Sequence, residues 1–192
     1  MEKRLIKKDT LAGIAKKMAG DLLVWAPMKR EDNVLFDILG TADEPFLTYL
    51  NSKNAPKNVF FPHTETLMKY TRTPKGMVFS SEVNKADASV LFGVRPCDAH
   101  SFALLDKLFD QEKYKDGYYI SKRANNTVIA LACVKPPYAS CFCTSVDGEP
   151  VGSEGVDILL TDVGGDYLVE FLTDKGEKLV KYFGDTKADA AA

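Results

Sequence analysis

Two nearly unbroken apolar runs, Ala88-Ser-Val-Leu-Phe-Gly-Val94 and Thr127-Val-Ile-Ala-Leu-Ala-Cys133, constrain the fold of this chain more than any other feature. A strand with one wet face alternates apolar and polar side chains. A run without alternation reads as a strand buried on both faces, the habit of parallel strands covered by helices. The gap between the runs is about 30 residues, the length of a strand-helix-strand unit. Its sequence supplies the helix: Phe102, Leu105, Leu108 and Phe109 recur at helical spacing, Asp106, Lys107 and Asp110 point outward, and Asp98 is a candidate N-cap. The two strands are therefore expected to lie parallel. A right-handed crossover then brings their carboxyl ends to one edge of the sheet, where open α/β sheets bind ligands.

The flanking sequence predicts smaller elements. A helix begins near Asp9-Thr10, carries Leu11, Ile14, Ala15 and Met18 on one face, and stops at Gly20. Leu22 to Pro27 and Val34 to Gly40 read as a hairpin across the polar turn Arg30-Glu-Asp-Asn33, the first strand ending at Pro27. From Tyr49 to Lys75 the chain, with Pro56, Pro62 and Pro74, reads as an irregular surface excursion holding one short helix around Glu65 to Tyr70. Gly117-Tyr-Tyr-Ile120 reads as the start of a strand. Val156 to Asp162 and Tyr167 to Leu172 form a hairpin about Gly164-Gly165, with a helix from Thr173 to Tyr182 after it. The expected fold is α/β: a mixed sheet with a parallel strand-helix-strand core, flanked by helices and antiparallel hairpins. It forms a single domain over residues 1–184. Residues 185–192 have no core of their own and read as a tail or a severed linker.

Charge and cysteine usage narrow the function. With 25 basic and 27 acidic residues the chain has no basic stripe for phosphates, so nucleic acid is not an expected partner. The basic N-terminus lacks an apolar h-region, and no apolar stretch approaches the roughly 18 residues of a membrane span, so a cytoplasmic protein without membrane insertion is expected. All four cysteines, Cys97, Cys133, Cys141 and Cys143, fall in one short stretch. In a reducing compartment such grouping points to metal ligation or redox chemistry before disulfides. Cys97 and Cys133 each follow a buried strand, and the loop after Cys133 is short enough to fold Cys141-Phe-Cys143 back over the same edge.

Four thiolates suit either a cubane iron–sulfur cluster or a structural zinc ion. The paired C-x2-C knuckles of zinc sites are absent, as is the C-x2-C-x2-C run of ferredoxins. Cys97 precedes a helix N-terminus, where exposed N–H groups favour negative sulfur, and Arg95 adds positive charge. Burial as small apolar side chains is the competing explanation for the cysteines, strongest for Cys133. Asp98 reads as a cap or as a minor ligand. His63 and His100 read as satisfied polar groups, and the glycines Gly148, Gly152 and Gly155 as a surface loop. No G-x-G-x-x-G, G-x-x-x-x-G-K-[ST] or G-x-S-x-G motif occurs.

Gly93-Val-Arg-Pro-Cys-Asp-Ala99 with Phe102-Ala-Leu-Leu-Asp106, Ala132-Cys133, Ser140-Cys-Phe-Cys-Thr-Ser145 with Gly148 and Pro150, and Phe60-Phe-Pro-His-Thr-Glu65 together resemble the iron–sulfur β subunit of cytosolic sulfhydrogenases and the related A subunit of anaerobic sulfite reductase. The resemblance implies an electron-transfer subunit carrying [4Fe-4S] clusters between a flavin- or NAD(P)H-linked partner and a catalytic metal subunit, with no independent catalysis. It also implies a C-terminal dicluster ferredoxin module, for which nothing after Phe183 supplies cysteines. The chain is thus expected to be an excised N-terminal domain or a variant without that module. Two other classes stay open: a subunit-docking scaffold with buried or zinc-bound cysteines, and a redox enzyme using Cys141 or Cys143 as an exposed low-pKa thiol.

Overall fold

The computed structural model describes residues 2–81 and 86–184; the expected tail at 185–192 lies outside the described residues. Its centre is a mixed seven-stranded sheet. The strands are β1 (Lys3–Lys7), β2 (Leu23–Arg30), β3 (Asn33–Ile38), β6 (Ser89–Val94), β7 (Asn126–Leu131), β8 (Ile158–Asp162) and β9 (Asp166–Phe171), in the order β1-β9-β8-β7-β6-β2-β3. The neighbours β2, β6, β7 and β8 run parallel, while β3, β9 and β1 add antiparallel edges. Two further strands, β4 (Met68–Thr73) and β5 (Gly76–Ser81), form a separate two-stranded sheet, pairing among the described residues with each other. The helices are α1 (Leu11–Ala19), α2 (Pro96–Phe109), α3 (Gly117–Asn125) and the short α4 (Asp174–Glu177).

The two apolar runs are β6 and β7, parallel neighbours at the middle of the sheet, with Val90, Leu91, Phe92, Val128, Ile129 and Ala130 buried. Gly93 makes a bulge between them: the register slips between Phe92 and Val94, and Gly93 takes φ +79°. A bulge bends its strand, and here it lies two residues before Arg95. Helix α2 packs through Phe102, which is fully buried and meets Phe60 edge-on with ring centroids 4.9 Å apart. Burying such a ring contributes about 1.5–3 kcal/mol.

Several expectations are corrected. Strand β2 runs through Pro27 to Arg30 because its ladder with β6 covers only Leu23 to Trp25. Beyond that point the missing proline N–H leaves no gap in that ladder, and the Pro27 carbonyl accepts from the Phe46 N–H at 2.7 Å. The helix expected around residues 65–70 is replaced by β4, whose Met-Lys-Tyr-Thr-Arg-Thr alternates and is rich in β-formers. Gly117-Tyr-Tyr-Ile120 opens α3, because the Asp116 carboxylate accepts from the N–H groups of Tyr118 and Tyr119 and fixes a helix start there. Leu108 is exposed, and Asp106 turns inward to accept from the Tyr119 hydroxyl at 2.7 Å and from Arg123 at 3.2 Å. The helix expected over 173–182 divides into α4 and a separate 3-10 turn, Val180–Tyr182. Strand β1, within the stretch read as merely basic, alternates Arg4 and Ile6 inward, and its Lys3 and Lys7 pair with Glu170 and Asp166 across β9.

Candidate functional site at the carboxyl edge

The bulge at Gly93 ends β6 beside the start of α2. Pro96 occupies the first helical position, where its fixed φ is pre-set and its missing N–H is one that a helix leaves unpaired. Arg95 is therefore the N-cap, without a side-chain cap bond, and Asp98 lies in the first turn rather than at the cap. Burial pushes the Asp98 carboxyl up to about 6, against the pull of the Arg95 backbone hydrogen bond and guanidinium. Cys97 stands in the same first turn, exposed at the rim.

Two residues past the end of β7, the N–H of Cys133 donates to the Pro150 carbonyl at 2.8 Å and ties the strand end to the returning loop. That loop is built from local turns. The Cys141 N–H donates to Tyr138 O at 3.1 Å, and a 3-10 turn spans Cys143–Val146. Asp147 closes the turn in the left-handed region, φ 58°, and the Gly148 N–H returns to Cys143 O at 2.9 Å. Cys141 is exposed; Cys133 and Cys143 are half-buried.

All four cysteines line one cavity of about 480 Å³. Its wall is mostly apolar, with Leu50, Leu104, Tyr138, Phe142 and Val146 beside the sulfurs and Arg95 among the polar groups; Asp98 is not part of the lining. His100 reaches the cavity but is engaged, its Nδ1 2.6 Å from Glu154 Oε2, whereas His63 is exposed elsewhere. Gly148 also lines the cavity, whereas Gly152 and Gly155 of the same glycine loop do not. Although Cys97 stands at the rim, its sulfur is partly desolvated. That desolvation foremost, with Asp98 and Cys133 adding negative potential, pushes its thiol up to about 11; the helix start and Arg95, expected to favour negative sulfur there, do not prevail. Burial raises Cys133 as well, opposed first by Arg95. Among the described residues, no three His, Cys, Asp or Glu side chains stand close enough to grip a single metal ion.

Arg95 is held by Tyr49. Its guanidinium lies over the Tyr49 ring and donates to the Tyr49 carbonyl. The Tyr49 hydroxyl donates to Gly93 O at 2.8 Å. Tyr49 is buried and its hydroxyl is raised far above the ordinary phenol range, by burial first, with Arg95 opposing. Tyr49 was not singled out from the sequence, because it sits in a loop without periodicity; its aromatic size is the one local signal of a buried role.

The chain is similar to a protein named sulfhydrogenase 2 subunit beta of Pyrococcus furiosus, with 29% identity over 160 residues, 82% of this chain and 44% of that protein. It thus spans less than half the length of that relative. No family model and no solved structure matches the chain.

Proposed function

We propose that this chain, a distant homologue of the sulfhydrogenase β subunit, is part of an electron-transfer subunit of a hydrogenase or sulfite reductase type complex and holds a [4Fe-4S] cluster on Cys97, Cys133, Cys141 and Cys143. One observation carries the reading: every cysteine of the chain opens into the same cavity at the carboxyl edge of the sheet. Such a cluster supplies one-electron transfer at a potential set by its surroundings. The residues suit it in kind. Four sulfurs are the full cubane ligand set, the cavity wall around them is mostly apolar, and Arg95 offers positive charge beside Cys133. Its partners would be a flavin- or NAD(P)H-linked subunit and a catalytic metal subunit.

The sequence spacing favours a cluster over zinc: one Cys141-Phe-Cys143 pair joined to two isolated cysteines lacks the paired C-x2-C knuckles of structural zinc sites. Burial holds Cys97 and Cys133 as thiols, which weighs against either acting as a free nucleophile at neutral pH and means that loading must release their protons.

Anaerobic expression of the chain, followed by iron and sulfide analysis, tests this. The expected product is brown, with about four iron and four sulfide per chain and visible absorbance that bleaches on reduction. A colourless product binding zinc under the same conditions overturns it in favour of the docking scaffold.

A further inference from the structure

The β4–β5 hairpin stands apart from the main sheet, and every residue of its two strands except Thr73 is exposed. Its register gives it two unlike faces. Directly opposed residues share a face, so Met68, Tyr70 and Arg72 lie with Ser81, Phe79 and Met77 on one side, and Lys69, Thr71 and Thr73 with Ser80, Val78 and Gly76 on the other. The first face therefore gathers four large apolar side chains, Met68, Tyr70, Met77 and Phe79, at 59–68% exposure. A two-stranded hairpin is at best marginally stable alone in water, and an apolar face on it needs a cover.

The base of the hairpin is fixed. The Tyr118 hydroxyl at the start of α3 donates to the Leu67 carbonyl and lies 3.4 Å from Ser81 Oγ, so one side chain holds both ends of the hairpin. Just before it, Glu65 forms an ion pair with Lys122 of α3. An arm anchored at its base loses less freedom on docking than a loose one.

We propose that the Met68–Tyr70–Phe79–Met77 face docks onto another protein subunit, at an apolar patch rimmed by carboxylates. The sign of the charge selects the partner. Arg72 and Lys75 border the face, and residues 66–81 contain no Asp or Glu. A second copy meeting it through the same face would set like charges against each other. A lipid bilayer would strand the outer edges of β4 and β5, which have no neighbouring strand among the described residues.

The test uses the full chain in its native host, with photoreactive benzoylphenylalanine replacing Tyr70 on the apolar face or Thr71 on the opposite face. Irradiation at position 70 is expected to join the chain to one other protein at a peptide bordered by acidic residues, with little adduct from position 71. The double variant Arg72→Glu, Lys75→Glu should cut the adduct about tenfold, as expected of a charge-complementary rim. Phe79→Ser should do the same with both charges intact. Adducts with the chain itself or with lipid, equal yields at the two positions, no adduct, or yields untouched by either variant overturn the proposal. Iron content of the same preparations reports separately on the cysteine cavity, so failure of one reading is distinguishable from failure of the other.

Discussion

Arg95 lies with its guanidinium carbon 4.6 Å from the centroid of the Tyr49 ring, so the cation bordering the cysteine cavity is stacked on a buried aromatic. The same tyrosine donates to the carbonyl of Gly93, the residue whose bulge ends β6. One side chain therefore fixes both the strand end and the charge beside the sulfurs.

Tyr49→Phe keeps the ring under Arg95 and removes only the hydroxyl. The Gly93 carbonyl then loses a buried partner, which costs about 1–3 kcal/mol. Urea titration should place the midpoint of the variant lower with an unchanged slope. An unchanged midpoint would mean that the hydroxyl is not holding the bulge.

The Tyr182 hydroxyl donates to Asp21 at 2.7 Å, and burial together with that carboxylate pushes it up to about 12, from an ordinary 10.0. In that window the unfolded chain gives up the proton while the folded chain keeps it. The contribution of Tyr182 is thus fully present below pH 10 and is lost as pH rises through the folded pKa. Tyr182→Phe should flatten the fall in stability between about pH 10 and pH 12, read as the difference between the two proteins in parallel denaturant titrations. Parallel curves would refute the link.

The parts of the fold legible in the sequence are those where burial leaves a period. Ala88 to Val94 and Thr127 to Cys133 announced two parallel neighbours because no polar residue in water alternates with their apolar ones, and that pairing alone put Cys97 and Cys133 at one edge. Period failed where a local polar group decides. The aromatic pair Tyr118 and Tyr119 suits a strand, but the carboxylate of Asp116 captures two N–H groups and starts a helix. Lys3 to Lys7 carries too few apolar residues to declare a strand, which exists because β9 is there to pair with it. Tyr49 was illegible because its partners, Gly93 and Arg95, are more than 40 residues away and joined to it only by the fold.

Gly155 takes φ +76°, and a Cβ there would press into the carbonyl of Ala99, two residues past Cys97 in the first turn of α2. Gly155→Ala combines backbone strain with a clash against main chain that has nowhere to swing. A loss of about 2–4 kcal/mol is expected, visible as a lower thermal midpoint. Because the displaced turn carries Cys97, the variant should also hold less iron than the parent when prepared anaerobically. Full iron content at a reduced midpoint would separate the packing effect from the cavity.

Single Cys→Ser exchanges give the sharpest discrimination among the fates of the four thiols. If all four hold one cluster, Cys97→Ser, Cys133→Ser, Cys141→Ser and Cys143→Ser should each lower iron and sulfide together and change the visible spectrum, although the residues come from a helix start, a strand end and a loop. Their effects should overlap in double variants, because groups acting as one unit do not add. Reconstitution should also run faster at mildly alkaline than at neutral pH: burial holds Cys97 and Cys133 in the thiol form, and ligation must release those protons. If Cys133→Ser alone destabilises the chain while iron follows only the other three cysteines, Cys133 is a packing residue. The four-sulfur cluster then fails even though the shared cavity remains.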